Sequence, residues 1–342
     1  MLILMKIGAT AAQIDEVCSI IRARGVEPLV LPGEPRQAVG IPSSLSQDQR
    51  IDLESALGRL DSVSKVTQTS SPFKLASREF HPTPTHVTVK NVTFGADDFV
   101  ILGGPCSVES YEQFRASADL MLASGATVLR GGAFKPRTSP YAFQGLQLEG
   151  LKIIKQVGEE TGLVTITEVM AADMVETVAE HADILQIGAR SMQNFPLLIE
   201  AGKSGRPVFL KRGPSATIDE FLLASEYVLN QGNPNVILCE RGVIALDKTY
   251  TRNTLDLNAV PVLKELSHLP VVVDPSHGTG HARYVAPLAK AALVAGADGL
   301  MIEMHPDPRE ALSDGSQALD PDQFATLMTE LKVLSGYVGR KI

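Results

Sequence analysis

Residues 99–130 read FVILGGPCSVESYEQFRASADLMLASGATVLR. The apolar run at 99–102 has the length of a strand buried on both faces. A glycine-bearing turn with Cys106 follows, then a helix-like stretch at 111–123, then a second apolar run at 127–129. This is one β-α-β unit of a parallel sheet. Further runs of the same kind stand at 164–166, 184–187, 208–210, 236–238, 271–273 and 299–302, with polar or glycine-containing turns and helical stretches such as 220–230. Eight units in succession favour a closed (β/α)8 TIM barrel over an open sheet, and 86–342 supplies the roughly 250 residues such barrels take. The alternating segment 86–94 reads as a hairpin capping the N-terminal end of the barrel.

Outward from the barrel lies a small module. Residues 1–7 are strand-like, and Ile14, Val17, Cys18 and Ile21 mark one face of a helix ended by Gly25. Strand candidates follow at 26–31 and 36–41. Leu53, Ala56, Leu57 and Leu60 mark a second helical face, and 62–67 is a fourth strand candidate. The order is β-α-β-β-α-β, the split βαβ arrangement of ferredoxin-like domains. It carries no titratable cluster and reads as non-catalytic. The segment SSPFKLASREFHPTPT over 70–85 has three prolines and no apolar period, so it reads as a tether. The expected organisation is therefore a domain over 1–70, a linker over 71–85 and an α/β barrel over 86–342.

Charge and composition narrow the function. Lys and Arg number 31 against 39 Asp and Glu, a net charge of −8, which argues against a nucleic-acid partner. No stretch approaches the 18 or so uninterrupted apolar residues of a membrane span. The opening MLILMKIGAT is short for a signal peptide and has no basic region before it. Three cysteines cannot make a complete disulfide set, so a reducing, cytoplasmic location is expected.

Active sites of such barrels lie at the C-terminal ends of the strands. One set of residues there is basic: Arg130, Lys135, Arg137, Arg190, Lys211, Arg212 and Arg241. An acidic chain that gathers cations at one rim is arranged to bind anions, with Arg forking onto carboxylate or phosphate and Lys acting as a point charge. The second set is Cys106, His277, Glu303 and Asp314, whose mixed S, N and O donors suit Mn²⁺, Fe²⁺, Co²⁺ or Zn²⁺. Glu168, Glu240 and Asp274 also follow strands. His305 is a spare candidate behind the ligands, Cys18 and Cys239 read as structural, and His81, His86, His181 and His268 as structural or solvent-exposed.

GGPCS, LRGGAFKPRTSPYAFQG, QIGARSMQN, LKRG, CERG, DPSHGTG and the IEMHP…SDG run together resemble 3-deoxy-D-arabino-heptulosonate 7-phosphate (DAHP) synthases, in the short type I form with an N-terminal ferredoxin-like regulatory domain. The resemblance implies a metal-dependent transferase that condenses phosphoenolpyruvate with erythrose 4-phosphate and releases phosphate, opening the shikimate pathway to aromatic amino acids. It implies a divalent metal on Cys106, His277, Glu303 and Asp314, with Asp320 as the alternative to Asp314. Arg130, Lys135, Arg190, Lys211 and Arg241 fall on the phosphoenolpyruvate site, and Arg137 and Thr138 on the erythrose phosphate site. Lys135 is implied as general acid, with Glu168 orienting water. Feedback inhibition by phenylalanine or tyrosine bound to the N-terminal domain, obstructing entry to the barrel, and a homotetramer are implied as well.

The nearest rival is 3-deoxy-D-manno-octulosonate 8-phosphate synthase, which shares the barrel and takes arabinose 5-phosphate. Its family resembles KANRSS where this chain reads KPRTSP, which favours the four-carbon sugar. A barrel that has lost activity and serves as a sensor or scaffold is the other reading; intact Cys106 and His277 speak against it.

Overall fold

The structure is a computed structural model that describes residues 1–31, 37–68, 71–136 and 139–342. The chain forms two compact units, Met1–Pro84 with Leu266–His268, and Thr85–Glu265 with Leu269–Ile342.

The first unit contains β1 (Leu2–Met5), α1 (Ala11–Arg22), β2 (Leu29–Leu31), β3 (Ala38–Gly40), α2 (Gln47–Leu57) and β4 (Val63–Thr67). Its sheet is antiparallel in the order β2-β3-β1-β4, the ferredoxin-like arrangement. Both helices open with capping boxes, Thr10 with Gln13 and Ser46 with Gln49, which satisfy backbone N–H groups that have no partner within the helix. Ile3, Met5, Val17, Ile21, Val39 and Leu53 form the core. Leu60 lies beyond the end of α2 but packs on that core. The strand expected at 36–41 is seen at Ala38–Gly40, and Arg36 lies outside the described residues. Residues 71–84 hold no helix or strand, yet Phe73 and Phe80 are buried, Phe80 against Leu31 and Ala38.

The second unit begins with the hairpin β5 (Val87–Val89) and β6 (Val92–Phe94), in which Val87 pairs with Phe94. The barrel strands are β7 (Val100–Gly104), β8 (Val128–Arg130), β9 (Val164–Glu168), β10 (Ile184–Ile187), β11 (Val208–Lys211) and β12 (Val236–Glu240). After the two-residue pair β13 (Val243–Ile244) and β14 (Asn253–Thr254) come the last two, β15 (Val271–Val273) and β16 (Gly299–Glu303). The eight barrel strands pair in parallel and close, with β16 on β7. Seven of the intervening helices are α3 (Tyr111–Ser124), α4 (Leu148–Thr161), α5 (Val175–Ala179), α6 (Phe195–Lys203), α7 (Ile218–Leu229), α8 (Ala259–Leu266) and α9 (Pro275–Thr279). They are followed by α10 (Ala282–Val294) and α11 (Pro321–Tyr337). Among the described residues no helix is long and apolar enough to cross a membrane.

Alternate residues of each strand enter the barrel. Val100, Leu102, Val128, Ile166, Phe209, Ile237, Val272 and Met301 form its interior core. Val87, Val89, Val92 and Phe94 of the hairpin belong to the same core, so the hairpin plugs the N-terminal end. Parallel strands that delivered apolar groups to an open end would leave that core wet, and the plug prevents this. Phe94→Ala removes a fully buried ring from the plug. It should cost about 3–5 kcal/mol, read as a lower urea midpoint for loss of secondary structure; an unchanged midpoint would mean that the hairpin does not seal the barrel.

Candidate active site

Two residues beyond the last interior apolar group, every barrel strand presents its next inward position. These positions are Gly104, Arg130, Glu168, Gln186, Lys211, Arg241, Asp274 and Glu303. The pleat that buries Val128 therefore also delivers Arg130, and the one that buries Phe209 delivers Lys211. The glycine is required where it stands. Gly104 has φ +136°, and a Cβ there would lie 2.3 Å from the Arg130 carbonyl oxygen. This close approach leads directly into the Pro105-Cys106 turn.

Above this layer opens a cleft of 410 Å³. Arg130, Lys135, Arg190, Lys211, Arg241 and Arg252 line it, together with Glu168, Gln186, His277 and Asp314. Six cations around one cleft in a chain of net charge −8 make it a receptor for anions. Two of the cations are held in place by buried partners. Lys211 Nζ donates to Asp274 Oδ2 at 2.6 Å. Arg130 Nη1 donates to Glu303 Oε1 at 2.8 Å and to the Pro105 carbonyl at 2.7 Å. The buried Arg130 Nε has no partner among the described residues. Arg190 donates to the Pro136 carbonyl at 3.0 Å. Burial pulls the Arg241 guanidinium below its ordinary range.

His277 connects the two buried carboxylates. Its Nδ1 lies 2.7 Å from Asp274 Oδ2 and its Nε2 lies 3.4 Å from Glu303 Oε1. Burial lowers the His277 pKa against the pull of Asp274, so the imidazole is neutral near pH 7. Burial opposes ionisation of Asp274, but His277 and Lys211 outweigh it and hold the carboxyl far below its ordinary range. An ionised Asp274 can only accept, so the imidazole proton sits on Nδ1 and Nε2 keeps its lone pair. Burial likewise opposes ionisation of Glu303, and His277, Arg130 and Lys135 bring its pKa down to about 2.

Beside Glu303, Cys106 Sγ donates to Asp314 Oδ2 at 3.2 Å and lies 3.0 Å from Ser313 Oγ. Lys135 Nζ is 3.0 Å from the same sulfur and 2.9 Å from the Cys106 carbonyl. Burial, then Glu303, pushes the Cys106 thiol up to about 11, against Lys135. One donor atom each from Cys106, Glu303 and Asp314 lies within 4.8 Å of the others. Asp314 reaches this place from a left-handed backbone, φ 53°, a conformation Asp tolerates better than most residues.

The sequence-derived set thus converges, with exceptions. Asp320 caps α11 by accepting from Gln323 N, while Asp314 joins Cys106. Arg212, grouped with the rim cations from sequence, turns to Glu240 and Asp256, 2.9 Å from each, and does not line the cleft. Cys239 is enclosed in the barrel core. Arg137 and Thr138 lie outside the described residues. Sequence reading missed Gln186 and the linking role of Asp274, although extending the strand alternation by two residues would have reached both. Arg252 and Gln317 were also missed. Gln317 donates to Glu303 Oε2 at 2.6 Å and accepts from Arg252 at 3.2 Å; Arg252 sits in a loop and Gln317 in a single 3-10 turn, neither with a periodic signal.

Asp274 neutralises Lys211 and orients His277, and all three are largely buried. Asp274→Asn should therefore leave a buried ammonium uncompensated and cost about 3–5 kcal/mol in urea unfolding. A loss below about 1 kcal/mol would show that Lys211 reaches water or another partner.

The profile of the DAHP synthetase I family matches residues 76–338. A phospho-2-dehydro-3-deoxyheptonate aldolase of Thermotoga maritima is 44% identical over 342 residues, covering 100% of both chains. A 2-dehydro-3-deoxyphosphooctonate aldolase of Syntrophotalea carbinolica is 34% identical over 274 residues, covering 75% of this chain and 98% of its own. The crystal structure of the T. maritima DAHP synthase superposes with a TM-score of 0.79 at 43% identity, covering 99% of this chain and 98% of its own. A truncated form of 3-deoxy-D-arabino-heptulosonate 7-phosphate synthase from T. maritima gives 0.73 at 46% identity, covering 78% of this chain and 98% of its own. With the family profile spanning the barrel and a full-length relative at this identity, the chain belongs to the DAHP synthetase I family.

Proposed function

We propose that this chain is a 3-deoxy-7-phosphoheptulonate synthase: it condenses phosphoenolpyruvate with erythrose 4-phosphate, releasing DAHP and inorganic phosphate as the first step of the shikimate pathway. The observation that carries the reading is a cleft in which Arg130, Lys135, Arg190, Lys211 and Arg241 meet His277 and Asp314, with the donors of Cys106 and Glu303 buried directly behind them. The cations neutralise the carboxylate and phosphate of phosphoenolpyruvate and hold its C3 toward the aldehyde, which supplies proximity. Arg137 and Thr138 of KPRT are assigned to the phosphate of the sugar. C3 attacks the aldehyde carbon, water adds at C2, and phosphate leaves with C–O cleavage. Lys135 holds the proton that the new alkoxide takes, and Glu168, kept in the cleft by the Gln186 amide at 3.3 Å, orients the water.

The donor set fits a divalent transition cation. Three donors already converge within 4.8 Å, and His277 turns an unprotonated Nε2 toward Glu303 while Asp274 holds its other nitrogen. A bound ion there would supply Lewis acidity to the aldehyde oxygen. Cys106, His277, Glu303 and Asp314 are the ligands of this proposal, with Mn²⁺, Fe²⁺, Co²⁺ or Zn²⁺ as the ion.

Phosphate release from phosphoenolpyruvate, measured in parallel with erythrose 4-phosphate and arabinose 5-phosphate, tests the reading. Erythrose 4-phosphate should be the strongly preferred acceptor, because residues 135–140 read KPRTSP. EDTA should abolish turnover and added Mn²⁺ restore it. Preference for arabinose 5-phosphate would assign the chain to the octulosonate branch, and full turnover in EDTA would remove the ion from the reaction.

The N-terminal unit is assigned to regulation: it binds phenylalanine or tyrosine, in a cytoplasmic homotetramer. Its ferredoxin-like core, without a donor cluster among the described residues, supports a binding role, and three cysteines without a disulfide suit a reducing compartment. An inhibitor must favour one arrangement of the enzyme over another, since equal affinity shifts nothing. Because Phe80 packs with Leu31 and Ala38, the informative deletion runs through Pro84. The remaining barrel should turn over and ignore both amino acids. Retention of the full-length inhibition curve would place the inhibitor in the barrel.

A further inference from the structure

The three donors that converge at Cys106 come from separate segments: the turn after β7, the end of β16, and the loop that follows β16. One carboxylate outside the cleft touches the neighbours of all three. Glu109 Oε1 accepts from Ser107 Oγ at 3.0 Å, one residue from Cys106. The same oxygen accepts from the Leu312 backbone N–H at 2.9 Å, two residues before Asp314. Its other oxygen faces His305 Nε2 at 3.5 Å, two residues after Glu303. Glu109 and His305 are both largely enclosed, with side chains 11% and 6% exposed.

The orientation of His305 is fixed locally. The Asp307 backbone N–H donates to its Nδ1 at 3.1 Å, so the proton of the neutral ring is on Nε2 and points at Glu109. That nitrogen is buried and has no hydrogen-bond partner among the described residues, which leaves Glu109 Oε2 as the nearest acceptor to tighten onto. The Leu312 contact matters because the segment it anchors must deliver Asp314 in its left-handed conformation. Ser313 is buried against Cys106 Sγ at 3.0 Å, but its neighbour Leu312 is 57% exposed, so the bond to Glu109 is what ties the Leu312 backbone to the Cys106 turn.

We infer that Glu109 is the positioning residue of the donor set: through Ser107, Leu312 and His305 it sets the spacing of Cys106, Asp314 and Glu303. Glu109 does not line the cleft. The inference rests on the metal reading above. Residues that orient ligands from behind commonly change metal affinity by about 10–100-fold when removed.

The test is Co²⁺ titration of the full-length, metal-stripped protein, followed by the thiolate-to-cobalt absorption band, with phosphoenolpyruvate binding measured by calorimetry on the same samples. Wild type should show the band. Glu109→Ala should weaken Co²⁺ binding by about 10–100-fold and shift or broaden the band, while phosphoenolpyruvate affinity stays within about twofold. Glu109→Gln, which keeps an acceptor for Leu312 but turns an amide donor toward His305, should fall between the two and serves if the alanine variant does not fold. Wild-type Co²⁺ affinity and band in either variant would overturn the assignment. So would an equal loss of phosphoenolpyruvate affinity, which would mean general loosening of the rim. A wild type that shows no thiolate-to-cobalt band would overturn the metal reading itself, and the role of Glu109 with it.

Discussion

The pleat of a closed parallel barrel sends alternate side chains of all eight strands into one enclosed space, and the chemistry of this chain depends on how that space is divided. Up to Leu102, Phe209 and Met301 the inward positions are apolar and packed, with the β5–β6 hairpin closing the bottom. One step higher they become Arg130, Lys211, Asp274 and Glu303, all nearly inaccessible to solvent. Charges at that depth survive only if they compensate one another. They do so as a connected chain in which Asp274 answers Lys211 and Glu303 answers Arg130, with the neutral imidazole of His277 between the two carboxylates.

That chain explains why the cleft can be strongly cationic at its surface without tearing the barrel apart. Its anions lie below and to one side, where they hold Lys211, His277 and Arg130 in fixed orientations. The exposed arms, Arg190 and Arg252, and the half-buried Lys135 and Arg241 face the cavity. Preorganised charge of this kind needs no rearrangement when an anionic substrate enters, which is where its catalytic value lies. The same arrangement separates two neighbouring environments. A thiol pushed up by burial sits beside a carboxylate pushed down by its cationic neighbours, so sulfur and oxygen donors meet with different protonation states before any ion is bound.

Much of this was legible in the residues. Short apolar runs gave the eight strands, because a strand buried on both faces has no reason to alternate. The rim cations and Cys106, His277 and Glu303 were legible because each stands within a few positions of a strand end. Arg212 was misgrouped for a physical reason: in a pleated strand, the neighbour of an inward Lys211 points outward, and there it meets Glu240 and Asp256. Asp314 and Asp320 could not be separated by spacing, since both follow β16 in an irregular loop. The backbone separates them, turning Asp314 left-handed toward the thiol and leaving Asp320 to cap a helix.

The sequence by itself determined the barrel, the ferredoxin-like order of the first unit and the chemical kinds gathered at the rim. These follow from periodicity and residue type, which are local properties. Only the tertiary structure decided which of those groups face one another. It brought Glu109 from the turn after β7 to Leu312 and His305, some two hundred positions away in the chain, and Gln317 to Glu303. Such contacts have no sequence signature because at least one partner of each lies outside the long helices and strands, where no repeating geometry ties position to direction. The Glu109 contacts exist only because closing β16 onto β7 places the first and last strands of the barrel side by side.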